Sequence, residues 1–592
     1  MTNRKIEIMK KIIVFFLLAI PFIVDANGTI TSINILGGSS IVSCGGSLQY
    51  TVTIAPTDAQ YSSIAWSVNN NDLAYITETG TLYAKANGTL TVAATVTVDD
   101  ATTLTATKEV VLSGQNISDY SLAVMGSSVP AGSGAESGKG YAQLYQKYLE
   151  NNAENTWRIR NISIGGNTTT DVTNRWDKDF LPTCSRYIYY GLSLGNEGIH
   201  EKGEVAFNSY RDNMLKLIDR AREAGRIPLV GNNYPRSDFN STDYNYLKQL
   251  NLLMHEWDVP SVNLLGAIDN GAGRWASGYI ADNAHPNTVG HAEMFYAFVP
   301  SLLDALVIKK SQPRRIENTS LNLTKTSTMQ RITFTPENVL HSFTLTFSFK
   351  TTGEGTLASF VTLENDSAFL KINESGKLTY DTYSTTIKRT SVNAVNDGQW
   401  HTVSLTHYYA WGKTMFYLDG IQVNYTPLSE KNIPVKFYLN AFDDAPQMIE
   451  YRELFLHRAG MFTEEIRALH QGKMLKSSLE IYAPLDDKSE ANEKLQNYAQ
   501  SLNTIRLEEK LISDVKEHVA GTHFKDKYIF SLTGQLMPYI PALENLPPEK
   551  QLPKGVYIVQ QTDGKQIFSK KIRYSFFFST LYKAVITDNV PE

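Results

Sequence analysis

The feature that most constrains the fold of this chain is a change in hydrophobic periodicity along it. Residues 118–310 contain apolar runs that alternate with amphipathic segments, whereas the segments on either side alternate apolar and polar residues every two positions. Strands separated by helices form a parallel sheet, and two-residue alternation is typical of half-buried strands. The 592 residues have room for about four domains. The sequence therefore predicts an α/β domain between β domains.

Charge and cysteine content exclude several classes of protein. The 55 Lys and Arg residues are outnumbered by 60 Asp and Glu residues, so no basic field attracts nucleic acid, and no nucleic-acid partner is predicted. Two cysteines exclude a disulfide framework and a cysteine-based structural zinc site. The 32 Tyr and 25 Phe residues suit β-rich domains with aromatic cores.

Residues 1–26 are predicted to be a signal peptide. A basic start, MTNRKIEIMKK, precedes thirteen apolar residues, which is fewer than a transmembrane helix needs. No later segment reaches transmembrane length. We therefore expect an exported protein without a stable membrane span in the mature chain, located in the periplasm, at the cell surface or outside the cell.

Residues 28–113 are rich in Thr, Ser and Val, and their alternation predicts a β-sandwich. Tyr50, Val52 and Ile54 alternate in LQYTVTIAP, and Trp66 follows in IAWSV. Together with TETGTLYAKANGTLTVAATV, these segments resemble a bacterial immunoglobulin-like domain of group 2. The resemblance implies a spacer or an adhesive module.

Within residues 118–310, the candidate strands are SLAVMG, YIYYGLSL, RIPLVG and VPSVNLL. A helix is predicted over residues 205–225, because apolar residues recur there at spacings of three and four and Gly225 supplies a stop. These apolar residues are Phe207, Tyr210, Met214, Leu217 and Ala221. We assign them to a core packed on the sheet and not to a cofactor site.

Residues 316–485 return to β alternation. Apolar residues occupy every second position of HSFTLTFSFK, at Phe343, Leu345, Phe347 and Phe349, and Asp419-Gly420 predicts a hairpin turn. DGQWHTVSLTH, MFYLDGIQV and YRELFLHRAGMFTEEI resemble a laminin-G or concanavalin A-like jelly roll. Such modules bind sugars, bind proteins or only pack, and whether this one binds sugar or calcium is left open.

Residues 486–518 are charged and are predicted to be a helical or solvated linker. Residues 520–575 contain YIFSLTGQL, LPKGVYIVQ and GKQIFSKKI, and residues 576–592 form a tail. The three segments resemble the C-terminal sorting domain of the Por secretion system. The resemblance implies contact with a secretion machinery and export in a Gram-negative bacterium.

Motifs with catalytic potential occur only in the α/β segment. Gly126-Ser127-Ser128 follows the first strand, where glycine permits the tight turn that exposes a serine hydroxyl. Asp282 stands three residues before His285, so its carboxylate can orient the imidazole toward a serine. Two further loops, with Gly165-Gly166 and with Asn196, also follow strand-like runs. His200, His255 and His291 lack metal-ligand spacing and are assigned to surface or packing positions.

These motifs, in this order, resemble the SGNH or GDSL hydrolase family of esterases, lipases and deacetylases on a flavodoxin-like sheet. The resemblance implies a catalytic triad of Ser128, Asp282 and His285, with Ser127 as the alternative nucleophile. It also implies an oxyanion hole formed by Ser128, Gly166 and Asn196, and no metal or cofactor. The third motif reads GNEG where GxND is usual in the family.

The leading functional hypothesis is a secreted carbohydrate esterase that deacetylates glycans, with an acetylated polysaccharide or glycan as its partner. A lectin-like module would raise the local concentration of ester on such a polymer. A lipid esterase or lysophospholipase is the alternative within the enzyme class. A surface adhesin with a vestigial hydrolase domain is the alternative of another class. The sequence leaves the oligomeric state open.

Overall fold

The computed structural model describes residues 29–99, 102–152, 155–323, 328–382, 389–425, 430–441, 444–486, 489–490 and 494–511. For the strands between residues 526 and 586, it describes the backbone. The predicted signal peptide lies outside the described residues. The chain divides into two compact units, Met1–Gln115 and Asn116–Glu592.

The first unit is an immunoglobulin-like β domain. Its four-stranded sheet has the order β2-β9-β8-β5, and a three-stranded sheet has the order β3-β7-β6. The predicted alternation around Tyr50 is present, since Tyr50 is buried and Val52 and Ile54 are partly buried. The strands are β1 (Ser32–Leu36), β2 (Ser40–Ile41), β3 (Ser47–Gln49), β4 (Thr51–Ala55), β5 (Ser63–Val68), β6 (Ala74–Ile76), β7 (Thr81–Ala84), β8 (Gly88–Asp99) and β9 (Thr102–Leu112).

The second unit begins with a parallel five-stranded sheet. Its strands are β10 (Ser118–Gly126), β11 (Arg158–Asn161), β12 (Ser185–Gly191), β13 (Ile227–Gly231) and β14 (Ser261–Val262), in the order β11-β10-β12-β13-β14. This is the flavodoxin-like order, in which ligands bind beyond the carboxyl ends of the strands. The predicted fold class is confirmed. Only two residues of the predicted strand VPSVNLL form β14.

Helices cover this sheet, and the longest confirms the predicted periodicity. Each of the five apolar residues assigned to its core face is buried. In the described part of the chain, no helix is long and apolar enough to cross a membrane. The helices are α1 (Ser128–Ala131), α2 (Tyr141–Asn152), α3 (Thr169–Asp179), α4 (Ile199–Lys202), α5 (Glu204–Glu223), α6 (Ser241–Glu256), α7 (Leu265–Ile268), α8 (Thr288–Tyr296) and α9 (Leu302–Val307).

A sandwich of two sheets follows, with one hydrophobic core between them. One sheet has the order β15-β26-β17-β22-β23-β24, with β27 paired to β26, and the other has the order β21-β20-β19-β18-β25-β16-β30-β29-β28. The elements are β15 (Leu321–Asn322), β16 (Thr328–Phe334), β17 (Phe343–Thr351), β18 (Gly355–Thr362), β19 (Ser367–Ile372), β20 (Lys377–Thr382), β21 (Arg389–Ala394), β22 (His401–Tyr408), β23 (Lys413–Leu418), β24 (Ile421–Tyr425), β25 (Pro434–Leu439), β26 (Ile449–His457), α10 (Thr463–His470), β27 (Leu479–Ala483), β28 (Ser489–Glu490), β29 (Lys494–Leu495) and β30 (Ile505–Leu511). We refer to β15–β30 with α10 as the sandwich.

Two predicted features of the sandwich have different outcomes. The turn between β23 and β24 is present, with positive φ angles at Asp419 and Gly420. The linker over residues 486–518 is corrected in part, because Ile505–Leu511 pairs antiparallel with Thr328–Phe334 as an internal strand of the larger sheet. Ile505 is fully buried and Leu507 packs on the core, so apolar residues anchor a strand whose charged neighbours suggested a solvated connector.

The backbone near the C-terminus forms an antiparallel sheet in the order β32-β31-β33-β34-β35. Its three longer strands coincide with the segments predicted for residues 520–575. The predicted tail contributes a short strand to the same sheet. The strands are β31 (Asp526–Ser531), β32 (Leu536–Met537), β33 (Gly555–Thr562), β34 (Ile567–Tyr574) and β35 (Val585–Ile586).

Candidate active site

Ser128 lies at the carboxyl end of β10, where the chain turns directly into α1. A Cβ atom on Gly126 would lie 2.1 Å from the Gly191 carbonyl oxygen, so no other residue fits the end of this strand. The Ser127 N–H donates to the same carbonyl at 3.0 Å and fixes the turn. The local sequence thereby presents the Ser128 side chain at the edge of the sheet where parallel-sheet proteins bind ligands.

A hairpin over residues 279–287, which we name the catalytic hairpin, brings an imidazole to this serine. His285 Nε2 lies 2.8 Å from Ser128 Oγ, and His285 Nδ1 lies 2.9 Å from each carboxylate oxygen of Asp282. These partners assign the proton to Nδ1 and leave Nε2 free to accept a proton from the serine. The structure therefore joins the three predicted triad residues in one hydrogen-bonded chain.

The Asp282 carboxylate also organises the turn between the two residues. Its Oδ1 atom accepts the backbone N–H groups of Ala284 at 2.8 Å and His285 at 2.9 Å. The hydrogen bond from His285, followed by the one from Ala284, lowers the pKa of Asp282 below its usual range. The carboxylate is therefore ionised at neutral pH, which suits a group that orients and stabilises an imidazolium.

Ser127, the alternative nucleophile, faces away from the imidazole. Its side chain is fully buried, and its Oγ atom lies 3.4 Å from the hydroxyl of Tyr234. Burial raises the pKa of Tyr234, so its hydroxyl stays neutral and is no base for Ser127. The geometry brings Ser128, and not Ser127, to His285.

The two predicted oxyanion loops meet beside Ser128. A Cβ atom on Gly165 would lie 3.8 Å from the Cβ atom of Ser128, whereas one on Gly166 would face open space. Gly166 has a φ angle of +79°, a conformation that favours glycine. The Asn196 side-chain amide donates to the Asn167 carbonyl at 3.1 Å and so ties its loop to that of Gly166.

Two arginines that the sequence analysis missed hold these loops. Arg175 Nε donates to Asn167 Oδ1 at 2.6 Å, and its Nη1 and Nη2 atoms donate to the carbonyls of Ile162 at 2.8 Å and Gly126 at 3.4 Å. One partly buried guanidinium thus links the end of β10 to the Gly165-Gly166 loop. The sequence carried no signal for this role, because Arg175 reaches the loop only through the placement of α3.

The second arginine, Arg236, lies against the Asn196 loop. It forms a bidentate ion pair with Asp238, in which Nε and Nη2 donate to the two carboxylate oxygens at 3.0 and 2.8 Å. Its Nη1 atom lies 3.4 Å from Asn196 Oδ1. Its side chain also packs against Gly195, where a Cβ atom would lie 2.5 Å from Arg236 Cδ. Here a signal existed, because NNYPRSD directly follows β13 and so reaches the same sheet edge.

The histidines outside the candidate site occupy packing and surface positions. His255 and His291 are fully buried, and burial lowers the pKa of His255 to about 3 and that of His291 to about 4. His200 is largely exposed and pairs with Asp243 at 2.9 Å. Among the described residues, no group of three or more His, Cys, Asp or Glu side chains is arranged to hold a metal ion.

Sequence comparisons agree with the geometry for two segments of the chain. Residues 29–106 match the Bacterial Ig-like domain (group 2) family, and residues 124–293 match the GDSL-like Lipase/Acylhydrolase family. No curated protein matches the sequence. Because residues 124–293 match this acylhydrolase family, the protein is a serine hydrolase that acts on ester bonds.

Comparison with solved structures finds low similarity. A catalytic mutant of an acetylxylan esterase from Geobacillus stearothermophilus is 15% identical, covering 31% of this chain and 94% of that chain, with a TM-score of 0.27. A putative acylhydrolase from Bacteroides fragilis is 14% identical, covering 32% of this chain and 88% of that chain, with a TM-score of 0.25.

Proposed function

We propose that this esterase removes acetyl groups from glycans outside the cytoplasm, with Ser128 as nucleophile, His285 as general base and Asp282 as the orienting carboxylate. The observation that carries the proposal is the hydrogen-bonded chain from Ser128 Oγ through His285 to Asp282. Serine is activated for acyl transfer by an adjacent base that a third group orients.

The proposed reaction proceeds through an acyl-enzyme. Ser128 Oγ attacks the ester carbonyl carbon while His285 Nε2 takes its proton, and the alcohol departs with that proton. Water activated by His285 then releases the acid and restores the serine. Asp282 keeps its charge and stabilises the imidazolium throughout.

We assign the oxyanion hole to the backbone N–H groups of Ser128 and Gly166 and to the side-chain amide of Asn196. The amide of Asn196 has two N–H donors, of which one is used on the Asn167 carbonyl. The second N–H is the one that would bind the oxyanion. A donor of this kind contributes about 3–4 kcal/mol to the stabilisation of the transition state.

The surroundings of the site support a polar alcohol as the leaving group. The side chain of Asp282 is 59% exposed and that of His285 is 22% exposed, so the reacting groups lie at an open surface. Asn167, Asn196 and Arg236 line the neighbouring loops. These donors and acceptors suit a hydroxyl-rich sugar carrying a short acyl group better than a long apolar chain.

Export is part of the proposal. Immunoglobulin-like domains of group 2 usually serve as spacers or adhesive modules, and the basic and apolar start of the chain is typical of a signal peptide. We further propose that the C-terminal strands act as a sorting module for a Gram-negative secretion system. Detection of the mature chain in washed cell-surface and medium fractions, and its retention in the cytoplasm after deletion of residues 1–26, would support this route.

Acetate release from acetylated xylan, pectin and host glycans tests the substrate class. We expect acetate from at least one polymer and faster hydrolysis of p-nitrophenyl acetate than of the decanoate. Preference for the decanoate would favour a lipid esterase. Polysaccharide binding without turnover of any ester would favour an adhesin with a vestigial hydrolase domain.

A further inference from the structure

The sandwich covers the edge of the parallel sheet. At β14, the Ser478 N–H donates to the Ser261 carbonyl at 2.9 Å, and the Asn263 N–H donates to Ser478 Oγ at 2.8 Å. Nearby, His255 Nε2 lies 2.7 Å from Glu465 Oε1, and both side chains are fully buried. Buried polar groups are costly without partners, so these contacts favour one fixed arrangement of sandwich and α/β domain.

Helix α8 connects this arrangement to the catalytic hairpin. Asn287, two residues after His285, caps the helix by accepting the Gly290 N–H at 3.0 Å. The Asn287 N–H donates to the Tyr279 carbonyl at 2.9 Å, at the base of the catalytic hairpin. Because helix and hairpin share Asn287, a displacement of α8 is transmitted to His285.

The inner side of α8 is attached to the α/β domain through His291. Its Nε2 atom donates to the Ser133 carbonyl at 2.9 Å, and its Nδ1 atom accepts the Tyr141 N–H at 3.2 Å. Ser133 lies in the connection after α1, and Tyr141 is the first residue of α2. This attachment fixes one side of the helix and leaves the other side to be held by another element.

The sandwich holds that other side through His341, which lies between β16 and β17. His341 Nδ1 lies 3.0 and 3.1 Å from the carboxylate oxygens of Glu293 on α8. Its ring packs between those of Tyr409, at a centroid distance of 3.8 Å, and Tyr296 of α8, at 4.3 Å. In addition, Arg458 Nε donates to the Tyr296 carbonyl at 2.9 Å.

We propose that His341 is a positioning residue of the esterase reaction, through which the sandwich holds α8 and thereby the imidazole of His285. The inference rests on the proposed role of His285. It makes the sandwich part of the catalytic unit, whether or not it also binds a polymer. Small displacements of a general base lower the rate strongly, because proton transfer requires hydrogen-bond geometry.

Three full-length variants test the proposal. His341→Phe keeps an aromatic ring between the two tyrosines but removes the donor to Glu293, whereas His341→Asn restores an N–H donor near the position of Nδ1. Lys248→Met is the matched control, because it removes an ion pair with Glu464, at 2.8 Å, across the same interface but on α6. The concentration of active sites is titrated with a phosphonate ester, so that kcat is calculated per active site and unfolded protein does not affect it.

For p-nitrophenyl acetate, we expect His341→Phe to lower kcat about tenfold with KM within about twofold. His341→Asn and Lys248→Met should stay near the wild-type kcat. A wild-type kcat in His341→Phe, or equal losses in His341→Phe and Lys248→Met, would overturn the proposal.

Hydrogen exchange separates this proposal from the proposed function. His341→Phe should speed exchange in residues 279–296, and Lys248→Met should not. If the wild-type protein hydrolyses no ester, the proposed function fails, and unchanged exchange in His341→Phe would still overturn the positioning role by itself.

Discussion

His285 Nε2 lies 2.8 Å from Ser128 Oγ, although 157 residues separate the two in the sequence. Two local structures make this contact possible. One is the Gly126 turn at the end of β10, and the other is the catalytic hairpin, in which Asp282 accepts hydrogen bonds from the backbone and the imidazole of His285. Each brings its side chain to the carboxyl edge of the parallel sheet. The contact therefore depends on the fold of the whole α/β domain and not on either motif alone.

Substitution of the two neighbouring serines should separate the nucleophile from its neighbour. Ser128→Ala should lower kcat for p-nitrophenyl acetate by at least about 10³-fold, because no other hydroxyl faces His285 in the described site. Ser127→Ala should keep kcat within about tenfold and lose about 1 kcal/mol of stability, since it removes only a buried contact with Tyr234. An active Ser128→Ala enzyme together with an inactive Ser127→Ala enzyme would reverse the assignment.

Asp282→Asn should keep the turn but lower kcat by about 10²- to 10⁴-fold, because an amide no longer selects the imidazole tautomer with its proton on Nδ1. The hydrogen bond from His285 lowers the pKa of Asp282, so the wild-type carboxylate stays ionised at neutral and mildly acidic pH. Asp282 should therefore add no protonation step to the pH-rate profile of kcat/KM between about pH 7 and 5. A protonation step that is present in the wild-type profile and absent from that of Asp282→Asn would show that Asp282 titrates there.

Asn196→Ala tests the oxyanion hole at the position where GNEG departs from the usual family motif. We expect kcat to fall about 10²-fold with a smaller change in KM, because the donor acts on charge that develops in the transition state. Gln146→Ala, which removes an exposed contact with Glu150 on α2, is the control and should keep its kcat. Equal kcat values in the two variants would show that Asn196 does not contribute to the oxyanion hole.

Much of the site was predictable because its residues belong to short motifs. The spacing of Asp282 and His285 is a local signal, the choice of Ser128 over Ser127 came from the family resemblance, and the sheet edge follows from the strand and helix periodicity. Arg236 had a positional signal, because its segment follows β13 at the same sheet edge. Arg175 acts through contacts that only the tertiary fold creates. The spacing of residues along the chain does not predict such contacts.

Strand β17 shows why burial is harder to predict than strand position. The apolar residues of the predicted alternation are buried in the sandwich core, as expected. The opposite face, which carries Thr344, Thr346 and Ser348, is also buried, although hydroxyl side chains indicate a solvent-facing surface. Thr344 and Thr346 hydrogen-bond to hydroxyls of the adjacent strand β22 at 2.9 and 2.8 Å. These buried hydroxyls therefore have hydrogen-bond partners although they do not face solvent.

His291 should make the free energy of unfolding of the second unit decrease as the pH falls below neutral. Burial lowers the pKa of His291 to about 4, so the unfolded chain binds a proton at a higher pH than the folded one does. Protonation of the unfolded state below about pH 6.5 then favours unfolding. Between pH 7 and 5, this group alone should lower the free energy of unfolding by about 2 kcal/mol.

Urea unfolding at both pH values measures this contribution in His291→Gln. The variant should be less stable than the wild type at pH 7 but should lose about 2 kcal/mol less on acidification. His200→Gln is the control, because His200 is exposed and its hydrogen bond with Asp243 raises its pKa, which gives the opposite sign. If acidification destabilises His291→Gln and the wild type equally, His291 is not a source of the acid sensitivity.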